Sequence, residues 1–169
     1  MQAEAPTQAR VQGTARDFDF LIGCWTVHNR RLRERLAGSD EWDEFEACVV
    51  ARRILAGTGN QDVFRTDHDG GVVGMSFRFF DPTTQLWSIY WADSRRPGVL
   101  DPPVHGWFEG DVGEFEGCDT FGGRPIRVRF TWSRVTTPTP RWEQAFSEDA
   151  GRTWERNWVM DFTREGDES

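Results

Sequence analysis

The sequence predicts an all-β protein, an antiparallel up-and-down β-barrel of roughly ten strands. Three observations carry that expectation. From Asp17 onward the chain breaks into short aromatic and β-branched stretches punctuated by Gly, Pro, Asp and Asn. Apolar residues within those stretches alternate with polar ones, and the 3.6-residue period of a helix is almost absent. Connections are short apart from residues 94–103, so consecutive strands pair as hairpins and a meander closing on itself is the economical topology.

Strands are expected at 24–35, 44–54, 61–66, 72–80, 87–93, 104–110, 114–119, 125–134, 141–147 and 153–163. The first alternates from Trp25, and the second, around Cys48-Val49-Val50, ends at the turn Gly57-Thr58-Gly59-Asn60. Asp67-His68-Asp69-Gly70-Gly71 separates the third from the fourth. Asp81-Pro82-Thr83-Thr84 then places Pro at the second turn position, where its fixed φ is already correct. Trp87, Ile89 and Trp91 alternate in the fifth strand. The eighth interleaves Ile126, Val128, Phe130 and Trp132 with Arg127 and Arg129. Between the last two, residues 147–154 resemble the Asp-box hairpin S-x-D-x-G-x-T-W, in which Asp and hydroxyls bond the turn backbone, Gly turns left-handed and Trp packs beneath. A sialidase-type propeller repeats that hairpin in several blades and needs more chain, so the motif is read as structural. Residues 1–16 are expected as a disordered N-terminal tail, 17–164 as a single barrel domain and 165–169 as a C-terminal tail.

At 169 residues the chain makes one domain with a normal core. Only 37% of it is hydrophobic but 14% is aromatic, with 9 Trp and 13 Phe, so its apolar area lies in large flat rings that fill cores and line pockets for organic ligands. A net charge of −8 argues against nucleic acid or an anionic membrane as partner. All 20 basic residues are Arg, and the lack of Lys excludes Schiff-base chemistry and a Walker-type phosphate lysine. Cys24, Cys48 and Cys118 show neither a disulfide framework nor zinc spacing and are expected as buried free thiols. No apolar run suits a signal sequence or a span of ~18 residues, so a cytoplasmic location is expected. No G-x-S-x-G or Cys-His arrangement supports covalent hydrolysis. No cofactor and no metal site are expected, since His28 and His68 lack metal-ligand spacing. Self-association into a homodimer is compatible with the sequence.

Gly23-Cys24-Trp25 at the start of the first strand, answered by Arg164 at the end of the last, resembles the signature of lipocalin and calycin barrels. There Gly-x-Trp opens strand one and an Arg from the final strand packs across the indole. Together with Phe18-Asp19-Phe20-Leu21-Ile22, Phe80-Asp81-Pro82, residues 141–147 and Asn157-Trp158-Val159-Met160-Asp161-Phe162, it resembles uncharacterised bacterial lipocalin-like proteins from residue 17 onward. The resemblance implies the fold and no particular activity, because lipocalin-like barrels include carriers, haem binders and isomerising enzymes. No deep haem-ligating His is evident.

If Trp25 faces inward, so do Val27, Asn29, Arg31 and Arg33. Arg164 meeting Trp25 then sends Trp154, Arg156, Trp158, Met160 and Phe162 inward, with Glu155, Asn157 and Asp161 outside. The same logic puts Ile126, Val128, Phe130 and Trp132 inside, opposite Trp142, Gln144 and Phe146. Trp87, Ile89, Trp91 and Asp93 form another inner row, beside Met75, Phe77 and Phe79. Trp107 and Phe115 face each other and carry His105 and Asp119 inward.

These rows predict an aromatic well with an ionisable collar. His105, Asp93, Arg156 and Arg31 are the candidate catalytic residues, His105 for proton transfer and the two Arg for a developing or bound anion. Trp91, Trp107, Trp158, Gln144, Asn29, Trp142 and Phe77 are the candidate substrate-binding residues. The expected function is binding of a small organic molecule with an apolar or aromatic body and one anionic or strongly polar group. The chemistry expected there is that of a cofactor-independent, non-hydrolytic cyclase, isomerase or lyase of secondary metabolism. The alternative is a non-catalytic carrier or sensor of a hydrophobic small molecule.

Overall fold

Ten antiparallel strands close into an up-and-down barrel in the computed structural model, which describes residues 13–166. They are Gly23–Leu32 (β1), Trp42–Ile54 (β2), Gly59–Thr66 (β3), Val72–Asp81 (β4), Leu86–Asp93 (β5), Val104–Glu109 (β6), Val112–Phe121 (β7), Arg124–Ser133 (β8), Arg141–Ser147 (β9) and Glu155–Arg164 (β10). Each pairs with its sequence neighbours, and β1 pairs with β10 to close the ring. The architecture is compatible with a lipocalin-like barrel. Residues 1–12 and 167–169 of the expected tails lie outside the described residues. Residues 13–16 belong to a turn in which the Thr14 amide and hydroxyl donate to the Asp17 carboxylate at 2.9 and 3.0 Å.

One end of the barrel is plugged. A 3-10 turn, Asp19–Leu21, crosses it and sends Phe18 and Leu21 into the core. Phe18 meets Trp87 and Phe108 edge-on at 4.9 and 5.0 Å, the geometry aromatic quadrupoles favour. Trp25 is buried and donates from Nε1 to the Leu21 carbonyl at 2.7 Å. Arg164, its cross-strand partner, lays its guanidinium 4.2 Å from the centre of the indole. The same guanidinium donates to the carbonyls of Ile22 and Phe20, both at 2.8 Å. Gly23 is required there, because its φ of 132° disfavours other residues and a Cβ would stand 2.4 Å from Arg164 Nη1.

The Asp-box hairpin forms as its residues demand. Asp149 accepts from the Thr153 hydroxyl and from the amides of Thr153 and Arg152, Gly151 takes φ of 88°, and Trp154 Nε1 donates to Gly151 O at 3.1 Å. Trp154 nevertheless lies outside the barrel, with the Arg129 guanidinium 3.9 Å from its ring centre.

Side-chain direction departs from expectation in three strands, and in each the cause is register. The β9–β10 pairing slips between Arg156 and Trp158. This bulge buries Asn157, expected outside, while Arg156 faces solvent. In β4 the inner row is Gly74, Ser76 and Arg78, so Met75, Phe77 and Phe79 lie on the outer wall. In β6 the inner row is Val104, Gly106 and Phe108, because Phe108 seals the plug beside Phe115 at 5.6 Å. His105 and Trp107 therefore point outward, and Phe115 faces Gly106 instead of Trp107. Arg33 is exposed, since β1 ends at Leu32. The three cysteines, expected buried, are exposed free thiols.

Candidate functional site

The barrel interior is not filled by side chains. A cavity of about 440 Å³ lies above the plug, within the ~300–1,000 Å³ usual for small-molecule sites. Its walls are largely aromatic. Trp142 and Trp158 meet edge-on at 5.7 Å, and Phe64 stands edge-on to both Trp91 and Trp158 at 6.0 and 6.3 Å. The inner rows of β8 and β9 complete the wall with Val128, Phe130, Gln144 and Phe146.

The floor is polar. Arg78 donates from Nη2 to Asp62 Oδ2 at 2.5 Å and from Nη1 to Asn60 Oδ1 at 2.9 Å. Its guanidinium also stands 5.2 Å from the Phe18 ring, on top of the plug. Both charged side chains are buried, at 5% and 6% exposed, so each depends on the other for compensation. Cross-strand register makes the pair possible, because Asp62 lies opposite Ser76 and Asn60 opposite Arg78 on adjacent strands.

The rim is ionic. Asp93, at the top of β5, accepts from Trp91 Nε1 on Oδ2 at 3.0 Å and from the Arg95 amide on Oδ1 at 2.9 Å, and Arg96 approaches Oδ2 at 3.6 Å. Burial is the largest single influence on Asp93 and pushes its pKa up. The hydrogen bonds from Trp91 and Arg95, with the charge of Arg95, outweigh it and hold the group below its ordinary value. Trp91 can lie flat against β4 because residue 74 is glycine, where a Cβ would come 2.1 Å from the ring. Pairing between β5 and β6 covers Trp87 to Ile89 only. Above it the wall is bridged by residues 94–103, anchored where the Asp101 amide donates to Trp91 O at 2.9 Å. Asp101 and Pro102 on this side and Cys118 and Asp119 of β7 border the cavity at that gap.

Arg35 completes the mouth. It belongs to the β1–β2 connection, residues 33–41, and its guanidinium stands 5.4 and 5.9 Å from the rings of Phe121 and Phe146. The neighbouring Leu36 amide is fixed by Glu155 Oε1 at 2.8 Å. Burial, and next the charges of Arg31, Arg95 and Arg96, push Arg35 down to about 10, which leaves it cationic at neutral pH.

Of the candidate residues, Asp93, Trp91, Trp158, Trp142 and Gln144 border the cavity. Asn29 is buried behind Trp158 and accepts from its Nε1 at 3.0 Å. Arg31 is buried at the upper end, where it stands 5.2 Å from the Trp158 ring and binds Asp69 at 2.9 Å. The other four lie on the outer wall. His105 shares a 2.8 Å hydrogen bond with Ser88 Oγ, Arg156 binds Glu143 at 2.8 Å, Trp107 is exposed, and Phe77 stacks on Phe79. Among the described residues no group of three or more His, Cys, Asp or Glu is placed to hold a metal ion, and no helix is long and apolar enough to cross a membrane.

Arg35, Asp62, Ser76 and Arg78 were not foreseen as site residues. Counting back from the 82–85 turn would have found Arg78, since Phe80 opposes Trp87 and must share its face. No sequence signal marks Arg35, which lies in a loop. No known protein family matches the chain, and no curated protein matches it.

Proposed function

We propose that this protein is a container for a small organic molecule with an apolar or aromatic body, held within the barrel. The observation that carries this reading is the open, indole-walled cavity between a polar floor and an ionic mouth. Its volume suits a drug-sized ligand, and its few polar groups stand at the ends, where they fix orientation. The pairing of Trp25 with Arg164, which resembles the lipocalin signature, supports the same reading.

Binding without turnover is favoured over the cyclase, isomerase or lyase reading. His105, the candidate for proton transfer, and Arg156 lie on the outer wall. Asp93 stays inside, but its hydrogen bonds hold it as a stable carboxylate, a poor proton shuttle near neutral pH.

Two measurements test the container. A neutral fluorophore, N-phenyl-1-naphthylamine, should brighten on titration and shift the indole N–H resonances of Trp91 and Trp158. Native mass spectrometry after incubation with a metabolite extract should show a bound small molecule. A protein that leaves the dye dark, its indole signals unmoved and its mass unchanged is not a container.

A further inference from the structure

Resting on the container reading, we propose that the ligand is the oxyanion of an aromatic or polycyclic acid. Its body lies among the indoles and its anionic head faces the mouth, against Arg35. The argument begins with the partners of each guanidinium at the cavity. Arg78 is held on the floor by Asp62 and Asn60. Arg96 binds both oxygens of Asp101, at 2.8 and 3.0 Å, and Arg95 leans on Asp93. Arg31 belongs to Asp69. Among the described residues Arg35 alone of these has no carboxylate within ion-pair distance. Glu155, the acid beside it, is engaged by the Leu36 amide.

Arg35 therefore presents unused donors in a site walled by two phenyl rings and surrounded by three further cations. A forked guanidinium in such a place matches a carboxylate or sulfonate, and the hydrogen bonds it makes are strengthened by charge and by partial exclusion of water. Glu155 offsets this cation only in part, since burial and the neighbouring guanidinium groups still dominate at Arg35. An anionic head therefore supplies compensation that a neutral ligand does not and that a cationic one would oppose. The floor does not compete for the anion, because Asp62 already neutralises Arg78 and repels a second negative charge. Head and body are thus sorted by the ends of the cavity, the oxyanion outward and the rings inward.

The test uses two probes with one carbon skeleton, N-phenyl-1-naphthylamine and its sulfonate, 1-anilinonaphthalene-8-sulfonate. The intact protein should bind the sulfonate about tenfold more tightly or better, and rising salt should weaken the sulfonate alone. Arg35→Gln should erase that preference while leaving the neutral probe within about twofold, and Arg35→Lys should keep part of it. Near-UV circular dichroism of both variants reports whether the fold is retained. Equal affinity for the two probes, unchanged by Arg35→Gln, overturns the anion anchor and leaves the container standing. Sulfonate binding that does not move the Trp91 and Trp158 indole resonances places the dye outside the barrel and also overturns it. Failure of both probes to bind, together with an unchanged mass after incubation with a metabolite extract, refutes the container itself.

Discussion

Trp158 donates its indole N–H to Asn29 Oδ1 at 3.0 Å, joining the cavity wall to the strand behind it. Asn29 is fully buried and spends its own amide nitrogen on Val27 O at 3.0 Å. The asparagine thus fixes the plane of the most central indole. Asn29→Ala leaves a buried N–H unpartnered, at an expected cost of about 1–3 kcal/mol. Thermal denaturation should show it as a drop of about 2–4 °C per kcal/mol. An unchanged Tm would mean that Trp158 is oriented by packing alone.

Arg164 closes the other end. Its fork reaches the Ile22 and Phe20 carbonyls while its face covers Trp25, so one side chain ties the plug to the first and last strands. Lysine keeps the charge but cannot make both bonds or stack. Arg164→Lys should cost about 1–2 kcal/mol, read as a lower urea midpoint with an unchanged slope. A midpoint equal to the wild type would reduce the contact to a bystander.

How far the site was legible follows from how each residue is positioned. Asp93, Trp91 and Trp158 stand on strands whose alternation and position are plain in the sequence, and all three face the cavity. Alternation carried across the hairpins sends Phe77 and His105 inward. Both strands obey the pairing register instead, which turns aromatic residues outward and takes Arg78 in, where Asp62 compensates it. Arg156 was displaced by one bulge, a two-against-one pairing that alternation along a single strand cannot reveal. Arg35 depends on a loop whose path is set by a left-handed Leu36 and a hydrogen bond to Glu155, more than a hundred residues away. Local pattern therefore shows the wall of such a cavity, and long-range register decides its polar ends.

The buried floor pair should show strong coupling. Asp62→Leu alone strands the Arg78 charge and should cost about 3–5 kcal/mol, whereas the double variant Asp62→Leu/Arg78→Leu should lose much less. Chemical denaturation of the two single variants and the double measures this. Additive losses would contradict mutual compensation between Asp62 and Arg78.

Acid should loosen the barrel through particular carboxylates. Hydrogen bonds from the Thr153 side chain and amide, and then from Ser147, hold Asp149 far below the ordinary carboxylate range. Asp161 is lowered chiefly by its hydrogen bond to Arg141. A depressed folded-state pKa contributes stability that is fully present above the unfolded value of about 4 and is lost as pH falls through the folded value. Tm should therefore decline below about pH 4, and Asp161→Asn or Asp149→Asn should flatten that decline while lowering Tm at neutral pH. A variant whose acid profile parallels the wild type would clear that carboxylate of the role.

Gly74 and Trp91 should behave as one unit. The ring occupies the volume that a Cβ at residue 74 would need, at 2.1 Å from the nearest ring atom. Gly74→Ala must push the indole away by about 1–1.5 Å to reach ordinary contact. That motion stretches the Trp91–Asp93 hydrogen bond, now 3.0 Å, and drives the ring into the cavity. Overpacking of this kind costs about 1–3 kcal/mol, and the Trp91 indole resonance should shift with it. Affinity for N-phenyl-1-naphthylamine should fall as the cavity narrows. In the background Trp91→Leu the alanine meets no ring, so its penalty should nearly vanish, a coupling of about 0.5–3 kcal/mol between the two positions. If Gly74→Ala costs the same with and without the indole, strand propensity is the cause and the glycine is not there to seat Trp91.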